Sequence, residues 1–351
     1  MSAPPLWPRR VAVAPGPQGV RLLLDARALV TVLALTLGLV VLAAYALTRG
    51  TVAIPAGDVL SALIGQGEPG TIRVVTEWRL PRIALAVLAG ACLALSGAIF
   101  QSMTRNPLGS PDILGFSTGA YTGALVVGLV LGAGSVSVTV GAFIGGLLTA
   151  LAVYLLAFSR GVQGFRLIVV GIAISAVLSA FNSYLLVSAR LEEAVTASVW
   201  GAGSLNGVRW AQVEPVAWSL LVLVPALLLL SRRLAMLELG DEYARALGLS
   251  PERTRILLLG VGVGLVSVTT AIAGPITFVA LAAPQIAKRV VDAGGPCLAT
   301  SAVVGAALLL ISDVLAQQLI APNQVPVGVV TACLGGAYLV WLMTRPQKGT
   351  S

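Results

Sequence analysis

An all-α membrane protein, a single bundle of about ten transmembrane helices, is the fold class predicted by three features of this 351-residue sequence. Apolar residues make up 57% of it and charged residues only 10%, against about 25% charge in a soluble domain. The apolar residues gather into ten runs, each close to the roughly 20 residues needed to cross about 30 Å of hydrocarbon. Basic residues sit in short clusters between those runs, with a strong bias toward alternate connections. Such a chain has too few polar atoms to cover itself in water, which excludes a soluble enzyme.

The candidate spans are 28–47, 81–103, 113–132, 136–158, 166–188, 211–231, 255–273, 275–290, 298–320 and 326–344. Residues 1–27 precede them as a flexible cytoplasmic tail, with five prolines among the first 20 residues. The first run ends in Ala44-Tyr45-Ala46, the small-residue spacing of a signal-peptide cleavage site. It is longer than the about 7–15 residues of such a segment, so it reads as a retained span. The stretch 256–291 is too long for one helix and contains Gly274-Pro275, a helix breaker. Arg253 and Arg255 lie before it and Lys288 and Arg289 behind it; both basic ends share one side only if the chain turns back at Gly274-Pro275. Residues 28–345 therefore form one transmembrane domain, and 346–351 a second short cytoplasmic tail. With both termini inside, sixteen basic residues are cytoplasmic and six are outside: Arg49, Arg73, Arg79, Arg82, Arg190 and Arg209. The opposite topology would invert that bias.

Absences narrow the chemistry. The chain has no histidine and only two lysines, Lys288 and Lys348, so a Ser-His-Asp triad, a histidine metal site and a histidine proton relay are excluded. Neither lysine stands in a Gly-Lys-Ser/Thr setting, so no P-loop is present. Cys92, Cys297 and Cys333 are far apart and lack metal-ligand spacing; they read as small packing residues. No metal or cofactor is expected. The +8 net charge forms no basic stripe on a soluble face, so nucleic acid is not an expected partner.

Four stretches carry candidate function. In 97–115, Asn106-Pro107 and Ser110-Pro111 stop the second span and force a compact inner turn, which Asp112 can cap as the third span begins. Upstream, Gly90, Ala94, Gly97 and Ala98 allow another backbone to approach closely. The longest inner loop, 239–253, predicts one short helix over Ala244–Leu247, ended by Gly248. A second short helix would start with Ser250 as N-cap and Pro251 as N1. The pair forms either a docking element for a cytoplasmic protein or a solvated hairpin. In the fifth span Gly171, Ser175, Ser179 and Asn182 share one face, suited equally to close packing and to lining a passage. Asp313, the one carboxylate well inside a span, raises a proton-coupled reading. The sequence shows it no basic partner in a neighbouring span, and it is expected to bond backbone groups where the ninth span ends.

Together these stretches resemble the FecCD family, ten-span permease subunits of ABC importers for iron-siderophores, haem and cobalamin. The matching pieces run through nearly the whole chain: Trp78-Arg79-Leu80-Pro81-Arg82, the 101–115 signature with Gln101, Arg105, Asn106 and Pro107, the 240–248 loop, Gly274-Pro275-Ile276-Thr277-Phe278, Ala283-Pro284, and Pro326-Val327-Gly328. The resemblance implies that Arg79 and Arg82 dock an extracytoplasmic substrate-binding protein. It implies that Gly240, Asp241, Ala244, Arg245, Leu247 and Gly248 couple to two cytoplasmic ATPase subunits, and that the fifth span lines the pathway beside a second, paralogous permease. The motif variants are closest to members that carry a ferric catecholate siderophore; haem or cobalamin is the alternative within the family. Two positions depart from its pattern. Gln317 stands where some members have a third docking arginine, and Gln285 where many have histidine.

Overall fold

The structure is a computed structural model that describes residues 11–13, 22–24, 26–50, 53–132, 134–157, 164–292, 295–319 and 324–344. The readings that concern Arg9, Arg10, Arg21, Arg160, the ending of the ninth span at 320, and residues 346–351 lie outside the described residues. Within the amino-terminal stretch, β1 (Val11–Val13) pairs antiparallel with β2 (Leu22–Leu24).

All ten predicted spans have a helix. In chain order they are α1 (Ala26–Thr48), then two short helices α2 (Ala56–Leu63) and α3 (Pro69–Arg73), α4 (Leu80–Thr104), α5 (Phe116–Leu125), α6 (Ser135–Ala157) and α7 (Gly164–Ser188). They continue with the short α8 (Leu191–Gly201), α9 (Trp210–Glu238), the short α10 (Asp241–Ala246), α11 (Pro251–Ala273), α12 (Val279–Val291), α13 (Leu298–Gln318) and α14 (Val327–Thr344). Seven of the described helices are long and apolar enough to cross a membrane. α5, extended by a π-turn over Val126–Val130, and α14 are shorter apolar helices.

α4 is the centre of the bundle. It packs on α13, α11, α12 and α9, and most of its residues are buried. Its glycines explain why. A Cβ on Gly90 would strike the backbone of Gly305 and Ala306 in α13, and a Cβ on Gly97 would strike the Ala280 carbonyl at the start of α12. Lipid tails give no hydrophobic drive for helices to associate, so close van der Waals approach of this kind is what holds a membrane bundle together. The close approach read from Gly90 and Gly97 is present.

A π-turn, Val74–Arg79, joins α3 to α4, and Pro81 is its physical cause. Pro81 has no N–H and its ring would clash with the carbonyl four residues back, so the chain widens by one residue instead. Leu80 N–H then reaches Val75 O, and the orphaned Thr76 carbonyl is satisfied by Trp210 Nε1 of α9 at 3.0 Å.

Three expectations need correction. α12 has 13 residues, about 20 Å at 1.5 Å per residue, too short to cross alone. The helix stops at Ala273 as expected, but Gly274 to Phe278 is non-helical. Irregular backbone within a membrane bundle is tolerated only when buried in protein or lining a polar cavity. Here Ser204 N–H bonds Ala273 O at 2.8 Å, and Val279 N–H bonds Thr277 O at 2.9 Å. Second, the 239–253 loop has one short helix, not two: Ser250 is the N-cap of the long α11 itself. α9 runs on to Glu238, past the predicted end near 231, and shortens the loop. Third, Asp112 does not cap the third span. That helix starts at Phe116 with Gly115 as its N-cap, while Asp112 accepts a bond from the Ser117 hydroxyl at 2.7 Å.

Gly97→Ala is expected to lower the stability of the detergent-solubilised chain by about 1–3 kcal/mol, because the Ala280 backbone must shift. Gly336→Ala, with open space around its Cβ, is expected to be neutral or slightly stabilising through helix propensity. Melting temperatures of the two variants in one detergent decide the matter.

Candidate functional site: two polar ends and a polar cavity

At one end of α4, Arg82 meets Asp313 of α13. Arg82 Nε donates to both carboxylate oxygens at 3.1 and 2.9 Å, and Nη2 to Oδ1 at 2.9 Å. Gln317 Nε2 donates to Asp313 Oδ2 at 2.8 Å, and Arg82 Nη1 donates to Gln324 at 3.1 Å. The Asp313 side chain is 1% exposed and that of Arg82 14%. The reading of Asp313 as a carboxylate without a basic partner is therefore wrong: α4 supplies one across 231 positions of sequence. Gln317, at the position where a docking arginine was sought, helps to hold the pair. Beside it, Arg79 Nη1 donates to the Leu47 carbonyl of α1 at 2.6 Å.

At the other end of the bundle lies the 239–253 loop. Gly240 takes φ +115°, a conformation glycine adopts without a Cβ penalty, and so turns α9 into α10. Asp241 opens α10 and is gripped by Arg255 Nη1 and Nη2 at 2.9 and 2.7 Å. Arg105, the left-handed cap that ends α4, stands 3.8 Å away. Burial works to raise the Asp241 pKa, but the Arg255 hydrogen bonds and the charges of Arg255, Arg105 and Arg245 outweigh it and hold the carboxylate below its ordinary range. Ala244 is buried, and Arg245 pairs with Glu252 at 2.9 Å. Gly248, at φ +79°, follows the Leu247 cap of α10. Leu239, Tyr243 and Leu247 are left exposed.

The 101–115 signature joins this end to the interior. Gln101 Nε2 donates to the Leu281 carbonyl of α12 at 2.9 Å, and its Oε1 accepts from Gln285 at 2.6 Å. An amide pair thus occupies the position where an imidazole was sought. Asn106 Oδ1 accepts from Leu108 N–H at 2.9 Å, an Asx-type bond that, with Pro107, fixes the turn. The turn then rests on α7. Gly171 packs on Leu114, and Ser175 shares a 3.2 Å bond with Thr118. Ser179 and Asn182, one and two turns further on, line a cavity of about 250 Å³ with Asp112, Ser117, Tyr121 and Thr277. Of the four fifth-span residues, two therefore pack against the turn and two face the cavity. Sequence reasoning missed Glu238, Arg255 and the Arg82–Asp313 pair; an acid and a base in two spans were the signal for the last.

The FecCD transport family matches residues 38–345. The chain belongs to that family. It is 48% identical, over 92% of its length and 98% of the other's, to the ferric enterobactin transport system permease protein FepG of Escherichia coli K12. It is 37% identical to the achromobactin transport system permease protein CbrC of Dickeya dadantii, covering 90% and 91% of the two chains. A solved metal-chelate type ABC transporter in an inward-facing conformation superposes with a TM-score of 0.80 at 29% identity, over 89% of this chain and 98% of that one. As a FecCD chain, the protein is a multi-pass permease subunit of the ABC-importer kind and not an enzyme.

Two outcomes are expected from the geometry. Asp313→Ala leaves a buried, unpaired guanidinium and is expected to cost about 3–5 kcal/mol, most of it recovered when Arg82→Met is added to Asp313→Leu; denaturation in mild detergent measures both. Because the folded-state pKa of Asp241 is depressed, its contribution is present above the unfolded value of about 3.9 and lost as pH falls through the folded one. Hydrogen exchange at the α10 amides is expected to stay slow down to that acid range, and Asp241→Asn to speed it at neutral pH.

Proposed function

We propose that this chain is the permease of an importer for a ferric siderophore, of the catecholate, enterobactin-like class, working by alternating access in the cytoplasmic membrane with both termini inside. The observation that carries the reading is α10: a short helix at one end of the bundle, anchored by Asp241–Arg255 and presenting Leu239, Tyr243 and Leu247 outward. An apolar tip held rigidly beyond the lipid needs a protein partner, and the partner fitting an importer is an ATPase subunit. Two such subunits would close on ATP and shift the permease between its two states, since a ligand moves an equilibrium only by differential affinity. A second, paralogous permease completes the passage beside α7, and most of that helix is exposed here. At the opposite end, Arg79 with the outer edge of Arg82 offers positive charge to acids of a substrate-binding protein. Such charges steer encounter and fix register more than they add affinity.

The choice of a ferric siderophore rests on the relatives that handle ferric enterobactin and achromobactin. The proton-coupled alternative has lost its motive, because Asp313 is paired with Arg82. Cells lacking their own ferric-enterobactin permease, supplied with this chain, its partner permease, the ATPase and the binding protein, are expected to take up radiolabelled ferric enterobactin. Leu247→Asp is expected to abolish both uptake and co-purification of the ATPase while the chain still inserts in the membrane. Uptake that persists without the ATPase contradicts the importer reading; uptake of haem or cobalamin alone contradicts the choice of cargo.

A further inference from the structure

Glu238 belongs to no motif. It is the last residue of α9, two positions before the Gly240 hinge. Its side chain is only 18% exposed, and Oε1 accepts from two different helices: Ser102 Oγ of α4 at 2.6 Å and Lys288 Nζ of α12 at 3.1 Å. α4 and α12 are also joined to one another directly, through Gln101 and Gln285. α9 has 29 residues, about 44 Å at 1.5 Å per residue, which exceeds the hydrocarbon thickness and places its end near the membrane surface. One carboxylate beside the hinge therefore gathers the inner ends of three helices.

Hydrogen bonds to an ionised group are short and directional. A displacement of the hinge cannot slide past Ser102 and Lys288 as it could past apolar side chains; it must carry them along or break the bonds. Ser102 leads along the chain to Arg105 and the 106–115 turn, and that turn rests on Gly171 and Ser175 of α7. The contacts are continuous from α10 to the helix whose Ser179 and Asn182 line the polar cavity.

We propose that Glu238 is a positioning residue for transport, handing the movement of α10 to the inner ends of α4 and α12 and so to the passage. The inference rests on the ATPase-docking reading of α10. A residue that merely stapled the fold would affect stability and leave the yield of each ATP unchanged, which separates the two roles.

The test uses the full transporter, with both permeases, the ATPases and the binding protein, reconstituted in vesicles where ATP hydrolysis and cargo uptake are read together. Glu238→Gln, which keeps size and loses charge, is expected to retain ATPase binding and basal hydrolysis while cargo moved per ATP falls roughly tenfold, the factor one charge-assisted hydrogen bond carries. Exchanging the partners, Glu238→Lys with Lys288→Glu, is expected to restore much of that ratio. An unchanged ratio in Glu238→Gln overturns the proposal. So does a joint fall in hydrolysis and uptake that tracks lost thermal stability and is not restored by the exchange. If Leu247→Asp still binds the ATPase, the docking reading fails; if it loses the ATPase while Glu238→Gln stays coupled, only the role of Glu238 fails.

Discussion

The bundle depends on how closely α4 can approach its neighbours. In lipid an apolar side chain gains nothing by leaving its surroundings for another apolar side chain, so contact must come from backbones that touch over a long seam. Gly90 against Gly305, and Gly97 against the Ala280 carbonyl, supply that seam two turns apart along one face of the helix. Its two ends are then fixed by polar contacts that only these close approaches bring within reach. Arg82 meets Asp313 at one end, and Ser102 and Arg105 meet Glu238 and Asp241 at the other.

This arrangement divides the molecule into a fixed part and an adaptable one. α4 and α13 are packed and paired, while α1 and α7 are the least buried of the long helices. α7 carries Ser179 and Asn182 toward the cavity on a largely exposed helix braced on one side by α5, α6 and the 106–115 turn. Proteins that alternate between two states place the change where stabilising contacts are few. The π-turn before α4 belongs to the same design: the proline that forces it separates Arg79 from Arg82, leaving one guanidinium on the Leu47 carbonyl and the other on Asp313.

Most of the fold was legible in sequence because a bilayer makes few demands and states them strongly. Length and hydropathy marked the ten spans. Gly274-Pro275, with basic residues on both sides, marked the break between α11 and α12. The small residues of α4 announced its close packing. What could not be read depends on register and depth. Asp313 finds Arg82 only because two helices 231 positions apart in sequence align at one level, and no local pattern encodes that. The half-length α12 escaped because buried irregular backbone has the same apolar composition as a helix. Asp112 looked like a cap, yet the left-handed Gly115 delays the helix by a few residues and frees that carboxylate for Ser117. In the 239–253 loop the motif identified α10, whereas Arg255, which holds it in place, and Glu238, which ties the end of α9 to α4 and α12, are single charged residues outside any signature.

The division into a fixed α4–α13 pair and a moving α7 can be measured by electron-spin distance measurements on the assembled transporter, with label pairs on the outer ends of α4 and α13 and on α7 of the two permeases. With ATP added, the α4–α13 distance is expected to hold constant while the α7–α7 distance between the permeases changes. A shift in the α4–α13 distance as large as that across α7 would mean that the glycine seam is not the fixed element on which the rest turns.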